Sequence, residues 1–120
     1  MIPIPQAFSA RYAQARVKFL EAAATAGTRI ASHNHPLPGR DGEVLAMDTA
    51  LDGDEQSDRL LIVSSACHGV EGYCGSGVQV FALHDDEWRA RARDAGVAVL
   101  YIHALNPYGF SHLRRVTHEN

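Results

Sequence analysis

The sequence has few of the residues that mark several specialised classes of protein. Two cysteines in 120 residues are too few for a disulfide scaffold, and they fit a reducing compartment or buried thiols. A formal net charge of −3 gives no reason to expect nucleic acid or an anionic membrane as a partner. No apolar run approaches membrane length, and residues 1–12 lack the basic and apolar regions of a secretory signal. We therefore expect a cytoplasmic protein with neither of these partners.

What remains is the composition of a globular domain, with 46% hydrophobic and 21% charged residues. The length suits a single domain over residues 1–120. We expect an α/β fold, a mixed sheet of about four strands with flanking helices, in which Leu60–Val63 forms the central, buried strand. The patterns predict helices over 6–26 and 76–95, which end at Gly27 and Gly96, antiparallel strands over 29–37 and 43–48, an acidic surface loop over 51–58 and a strand over 97–105.

The stretch LLIVSSACHGVEGYCGSG, residues 60–77, carries the clearest chemical signal. His68 and Glu71 form an H-x-x-E pair, which offers an imidazole nitrogen and a carboxylate oxygen, both ligands that catalytic Zn²⁺ accepts. We expect Gly69 and Gly72 to adopt positive φ and to turn the backbone so that both ligands converge. In open α/β sheets the ligand site lies beyond the carboxyl ends of the strands, where this pair is expected to lie.

The second half of the chain predicts a neighbour for this pair. A strand, a helix and a strand joined by a connection of this length imply a parallel crossover. The carboxyl ends of both strands then emerge at one edge of the sheet, so Arg114 and Arg115 can approach the metal. We expect His103 to be a buried, hydrogen-bonded histidine, and we interpret His33 and His35 as exposed edge residues rather than a metal pair.

Two other interpretations of the same residues stay open. Cys67 or Cys74 with His68 would make a thiol hydrolase, because a cysteine near a helix start can have a lowered pKa. Against it, adjacent residues on a strand point to opposite sides. The other interpretation is a non-catalytic binding module that keeps the scaffold without the chemistry.

The motif CHGVEGYCGSG, followed by HALNPYGFSHLRRVTHEN, resembles the metallocarboxypeptidase (M14-like) superfamily, most closely its bacterial branch DUF2817. The resemblance implies the amino-terminal part of a zinc-carboxypeptidase-like (phosphorylase/hydrolase-like) fold and a zinc-dependent hydrolase of a peptide or amide bond. His68 and Glu71 would be the first two zinc ligands, and Arg115 or Arg114 would stabilise the oxyanion. The substrate would be a peptide or an acyl-amino acid, since an acyl-amino-acid deacylase uses nearly the same apparatus.

The resemblance also implies what the 120 residues lack. The branch continues with a segment that binds the substrate carboxylate, a third zinc histidine and a glutamate that acts as general base. None of these follows Glu119 and Asn120. We therefore expect residues 1–120 to be an incomplete amino-terminal portion of a larger catalytic domain, inactive or nearly so alone.

Overall fold

A computed structural model describes residues 1–119 and confirms the α/β class, with a four-stranded mixed sheet flanked by helices. The strands are β1 (Arg29–Asn34), β2 (Ala46–Asp52), β3 (Arg59–Ser64) and β4 (Val97–His103). The helices are α1 (Ile4–Ala7), α2 (Tyr12–Thr25), α3 (Gly72–His84), α4 (Asp86–Asp94) and α5 (Pro107–Ser111), and a 3₁₀ turn spans Gly69–Glu71.

The order of the strands corrects one expectation about the sheet. It runs β1-β2-β4-β3, with β1 and β2 antiparallel, β2 and β4 antiparallel, and β3 and β4 parallel. The predicted central strand is therefore wrong, because β3 lies at an edge and β4 at the interior. Leu60 and Ile62 are 55% and 56% exposed. A continuous apolar run indicates that a strand is suited to burial on both faces, but it does not fix the position of that strand in the sheet.

Both predicted helices exist but are interrupted. The first breaks between α1 and α2, where Phe8 is extended and its ring lies against Gly77 of α3. The second begins at Gly72 and breaks at Asp85, whose side chain accepts hydrogen bonds from the backbone N–H groups of Glu87 and Trp88 and so caps α4. Ending the helices at Gly27 and Gly96 is confirmed, with φ of +73° and +70°.

The antiparallel pairing of the first two strands is also confirmed, although β2 begins at Ala46 and extends to Asp52. The helices in residues 1–119 pack on one face of the sheet. Their core includes Phe19, Val80 and Tyr101, each at most 2% exposed. Within this layer Asp48 of β2 is fully buried, and its carboxylate accepts two hydrogen bonds from Arg16 of α2 at 2.8 and 3.1 Å. The pairing offsets the cost of burying the charge.

Within residues 1–119 there is no helix both long enough and apolar enough to cross a membrane.

Candidate functional site

The site lies at the carboxyl ends of the two parallel strands, as the crossover predicts. The pairing of β3 and β4 continues past both strands, because Leu105 N–H donates to Ser65 O at 3.0 Å and Asn106 N–H to Ala66 O at 2.9 Å. Two segments therefore leave the sheet side by side. One leads into the 3₁₀ turn and α3, and the other leads into α5 and the basic pair.

His68 and Glu71 lie on the first of these segments, at the start and end of the 3₁₀ turn. His68 precedes the turn with an extended backbone, and Glu71 is the last residue of the turn. Both side chains are exposed. The 13-residue α3 begins at Gly72, so its amino-terminal end directs positive potential toward the same place. The imidazole and the carboxylate are thus presented to solvent from one turn.

Among the contacts described for residues 1–119, it is Arg115 of the basic pair that the second segment brings to His68. Arg115 Nη2 lies 3.3 Å from His68 Nε2, within hydrogen-bond distance. Arg114 is directed elsewhere, with its guanidinium carbon 5.9 Å from the centre of the Tyr108 ring. Arg115 therefore lies beside the first residue of the H-x-x-E pair, and the expected approach of the basic pair to a metal stays a prediction. The catalytic roles proposed for Arg115 and Arg114 stay predictions.

Glycines allow the two segments to touch through their backbones. Gly69 N–H donates to Arg115 O at 3.3 Å, and a Cβ added to Gly69 would lie 2.1 Å from Gly109 C. A Cβ on Gly72 would lie 2.4 Å from the Phe110 ring. Neither Gly69 nor Gly72 has the positive φ that the sequence led us to expect. That expectation is wrong, because close approach requires glycine at both positions.

Three alanine and leucine residues adopt positive φ around this site. They are Ala66 at +56°, Ala104 at +73° and Leu113 at +58°. Left-handed backbone costs about 1–2 kcal/mol at a residue with a Cβ, and such outliers cluster at functional sites. Ala66 and Ala104 end the two parallel strands, and Leu113 precedes the basic pair. Sequence reasoning missed these positions, since neither alanine nor leucine indicates a left-handed conformation.

Sequence reasoning also missed a cluster of rings beside Arg114. Tyr108 stacks on His112 with ring centres 4.0 Å apart and contacts His35 at 5.9 Å and His118 at 5.7 Å. These rings hold the segment after α5 against the segment that follows β1. Tyr108 and His112 are four residues apart, but His35 comes from a distant part of the chain, so no local spacing indicates that it joins them.

The other candidate residues are placed as follows. His33 lies exposed on the edge strand β1, as expected. The same expectation is wrong for His35, because β1 ends at Asn34 and the His35 ring is half-buried against Tyr108 and His118. His103 is fully buried, with Nε2 2.8 Å from Ser76 Oγ, which confirms its interpretation as a buried, hydrogen-bonded histidine. Cys67 and Cys74 are both exposed free thiols, which excludes the buried alternative.

The ligand types that the turn offers suit zinc, but the turn offers fewer ligands than a catalytic zinc site needs. A catalytic zinc takes three protein ligands and a water molecule, and His68 and Glu71 supply one nitrogen and one oxygen. In the part of the chain that the structure describes, no three His, Cys, Asp or Glu side chains are grouped to hold a metal ion. The described site therefore offers two ligands.

Comparisons with known proteins show which family the chain belongs to. No curated protein matches it. The solved structure of glutaminyl cyclase from Porphyromonas gingivalis is similar with a TM-score of 0.45 and 18% identity, over 75% of this chain and 35% of that chain. The chain thus spans about a third of the length of that enzyme. A family model described as "Protein of unknown function (DUF2817)" matches residues 8–120, nearly the whole chain, and the chain therefore belongs to the DUF2817 family.

Proposed function

We propose that the complete protein is a zinc-dependent hydrolase of a peptide or amide bond, related to the M14 metallocarboxypeptidases. In this proposal His68 and Glu71 bind the metal, and Arg115 stabilises the oxyanion. One observation carries it. An imidazole and a carboxylate lie on one exposed turn at the carboxyl ends of parallel strands, and a guanidinium lies 3.3 Å from the imidazole.

Each group has a defined task in this chemistry. Bound zinc lowers the pKa of its water and polarises the substrate carbonyl. The His68 ring and the Glu71 carboxylate would hold the ion at the edge of the sheet, where both side chains are exposed. Arg115 donates hydrogen bonds to the substrate oxygen as negative charge develops. Loss of one such donor costs other enzymes about 3 kcal/mol in transition-state stabilisation.

We also propose that residues 1–120 are part of a larger catalytic domain, whose remainder supplies the third ligand and the general base. The sheet supports this extension. On the face opposite the helices, most outward side chains of β3 and β4 are apolar, including the exposed Leu60 and Ile62, and the exception is Ser64 at the end of β3. Purely parallel sheets are normally covered on both faces, and the β3–β4 part of this mixed sheet is parallel and has apolar residues on its outer face. Polypeptide that follows residue 120 is the occupant we propose for this bare face.

Zinc binding by the 120-residue chain tests the proposed ligands. We expect Zn²⁺ to bind weakly at one site in isothermal titration calorimetry. His68→Ala or Glu71→Ala should each lower the affinity at least about tenfold, because loss of outer-shell partners alone costs about 10–100-fold. His33→Ala is the matched control, since it removes an exposed histidine from β1, the edge strand opposite β3. Undiminished binding in the His68 and Glu71 variants would contradict the assignment.

Activity measurements on a longer gene product separate the alternatives. A zinc hydrolase should lose activity with a chelator and regain it with Zn²⁺. Activity that survives the chelator and disappears with a thiol reagent would instead identify Cys67 or Cys74 as the nucleophile. Peptides with a free carboxyl terminus and N-acyl amino acids, tested in parallel, distinguish a carboxypeptidase from a deacylase.

A further inference from the structure

In a hydrogen bond between Arg115 and His68, chemistry determines which group donates and which accepts. A guanidinium in a protein is always protonated and carries only N–H donors. His68 Nε2, 3.3 Å from Arg115 Nη2, must therefore accept this hydrogen bond. A neutral imidazole has one accepting nitrogen, so the hydrogen must lie on Nδ1. A hydrogen bond between these two groups thus requires the Nδ1–H tautomer of a neutral His68 ring.

A metal ion requires the same lone pair. If the ion binds Nε2, it takes the position to which Arg115 donates. If it binds Nδ1, the ring hydrogen moves to Nε2 and faces an N–H group of the guanidinium. In both cases the hydrogen bond between Arg115 and His68 breaks, because metal ligation needs a neutral imidazole with a free nitrogen.

The surrounding structure allows the side chain to move while its backbone stays in place. The Arg115 carbonyl accepts a hydrogen bond from Gly69 N–H, and the Arg114 N–H donates to Gly109 O at 2.8 Å. The Arg115 side chain is exposed, so it can turn away from His68 without unpacking a core. Release leaves the guanidinium tethered next to the metal ligands.

We propose that Arg115 holds His68 in the metal-free protein and is released when the metal binds. This inference rests on the proposed zinc site and adds that metal binding is coupled to release of the Arg115 side chain. The arginine competes with the metal for the imidazole, and binding the metal frees the guanidinium to donate to a substrate oxygen. Loading of the site and exposure of the oxyanion donor are therefore coupled.

Zinc titration of two arginine variants tests this coupling. Arg115→Ala should bind Zn²⁺ about threefold to tenfold more tightly than the unsubstituted chain, since one hydrogen bond no longer opposes the metal. Arg114→Ala is the matched control. It removes the same charge from the adjacent position, whose guanidinium lies over Tyr108, and should change the affinity less than about twofold. Equal affinities for the two variants, or weaker binding by Arg115→Ala, would overturn the competition.

The tautomer gives a second measurement that needs no metal. The ¹⁵N chemical shifts of the His68 ring should show hydrogen on Nδ1 in the unsubstituted chain, and a shift toward the Nε2–H form in Arg115→Ala. An Nε2–H ring in the unsubstituted chain would overturn the inference directly. Absence of zinc binding would contradict the proposed function and the release step together. Zinc binding without any difference between the arginine variants would contradict the release step alone.

Discussion

His103 is a histidine that the fold keeps uncharged. It lies on β4 with its ring fully buried, stacked on Phe19 at 4.6 Å and hydrogen-bonded to Ser76. Burial lowers its pKa from 6.5 to about 4, because the charged form loses its hydration, and the nearby Asp48 carboxylate only partly opposes this effect. The imidazole therefore acts as a polar core group, in contrast to the exposed His68.

This pKa makes the stability of the chain depend on pH. Between pH 4 and 6.5 the unfolded chain binds a proton at His103 that the folded chain does not bind. Stability is thus fully present above pH 6.5 and falls as the pH drops toward 4, by up to about 3 kcal/mol from this group. Urea unfolding at pH 7 and pH 4.5 should show the loss.

Two variants isolate the contribution of His103. His103→Gln should lower the free energy of unfolding at pH 7 but flatten its dependence on pH. His33→Gln, at an exposed position on β1, should leave the slope unchanged. If the free energy of unfolding fell with pH equally in His103→Gln and the unsubstituted chain, another group would cause the loss of stability at low pH.

At the scale of elements, local signals predicted which segments fold but not where each one lies. Periodicity indicated two helical segments, each of which is interrupted, and the glycines at positions 27 and 96 indicated their carboxyl-terminal ends, which were confirmed. The break at Phe8 depends on packing against Gly77, which no local pattern contains. The sequence does contain a signal for the cap at Asp85, because aspartate is a preferred N-cap residue and it precedes the N–H groups of Glu87 and Trp88. The edge position of β3 is set by pairing between distant segments.

The site shows the same division. The parallel crossover predicted that the segment with Arg114 and Arg115 lies beside the H-x-x-E pair, because topology determines which loops share an edge of the sheet. The choice between Arg114 and Arg115 required coordinates, since adjacent residues point in different directions. The contact of Gly69 with Gly109 was not predictable either, since a close approach between loops depends on their exact paths.

That contact supports a prediction about two packed elements, the 3₁₀ turn and α5. Gly69→Ala would place a methyl group 2.1 Å from Gly109 C and 2.5 Å from Arg114 O, which are backbone atoms that cannot rotate away. We expect a loss of about 1–3 kcal/mol in the free energy of unfolding, together with loss of the hydrogen bond between Arg115 and His68. Urea unfolding and the ¹⁵N shifts of the His68 ring measure the two effects.

The control for this variant lies in the same turn. Val70 is 43% exposed, so Val70→Ala should change stability by less than about 0.5 kcal/mol and leave the His68 ring unperturbed. If Gly69→Ala proved as stable as Val70→Ala and kept the ring shifts, the glycine would have no part in positioning His68.

At the scale of the whole molecule, the sheet is covered on one side. The helix-facing side chains of β4, including Val99 and Tyr101, are buried, whereas Leu60 and Ile62 on the opposite face are more than half exposed. Burying the exposed half of either side chain would contribute about 1 kcal/mol. The free edge of β3 adds unpaired backbone groups, and residues 60–63 contain no proline or charge to protect it. Both features favour polypeptide that adds a strand and covers the face.

Ile62→Lys tests this view, because its effect depends on what covers the face. In the 120-residue chain the lysine reaches solvent, so stability should change by less than about 0.5 kcal/mol, while concentration-dependent self-association in analytical ultracentrifugation decreases. Val17→Lys, at a 53% exposed position on α2, should leave self-association unchanged. In a longer gene product the same Ile62→Lys change should cost several kcal/mol, because it buries an unpaired charge. A monomeric 120-residue chain, with Ile62→Lys harmless in both proteins, would mean that the face is a solvent-exposed surface and that the proposed remainder of the domain packs elsewhere.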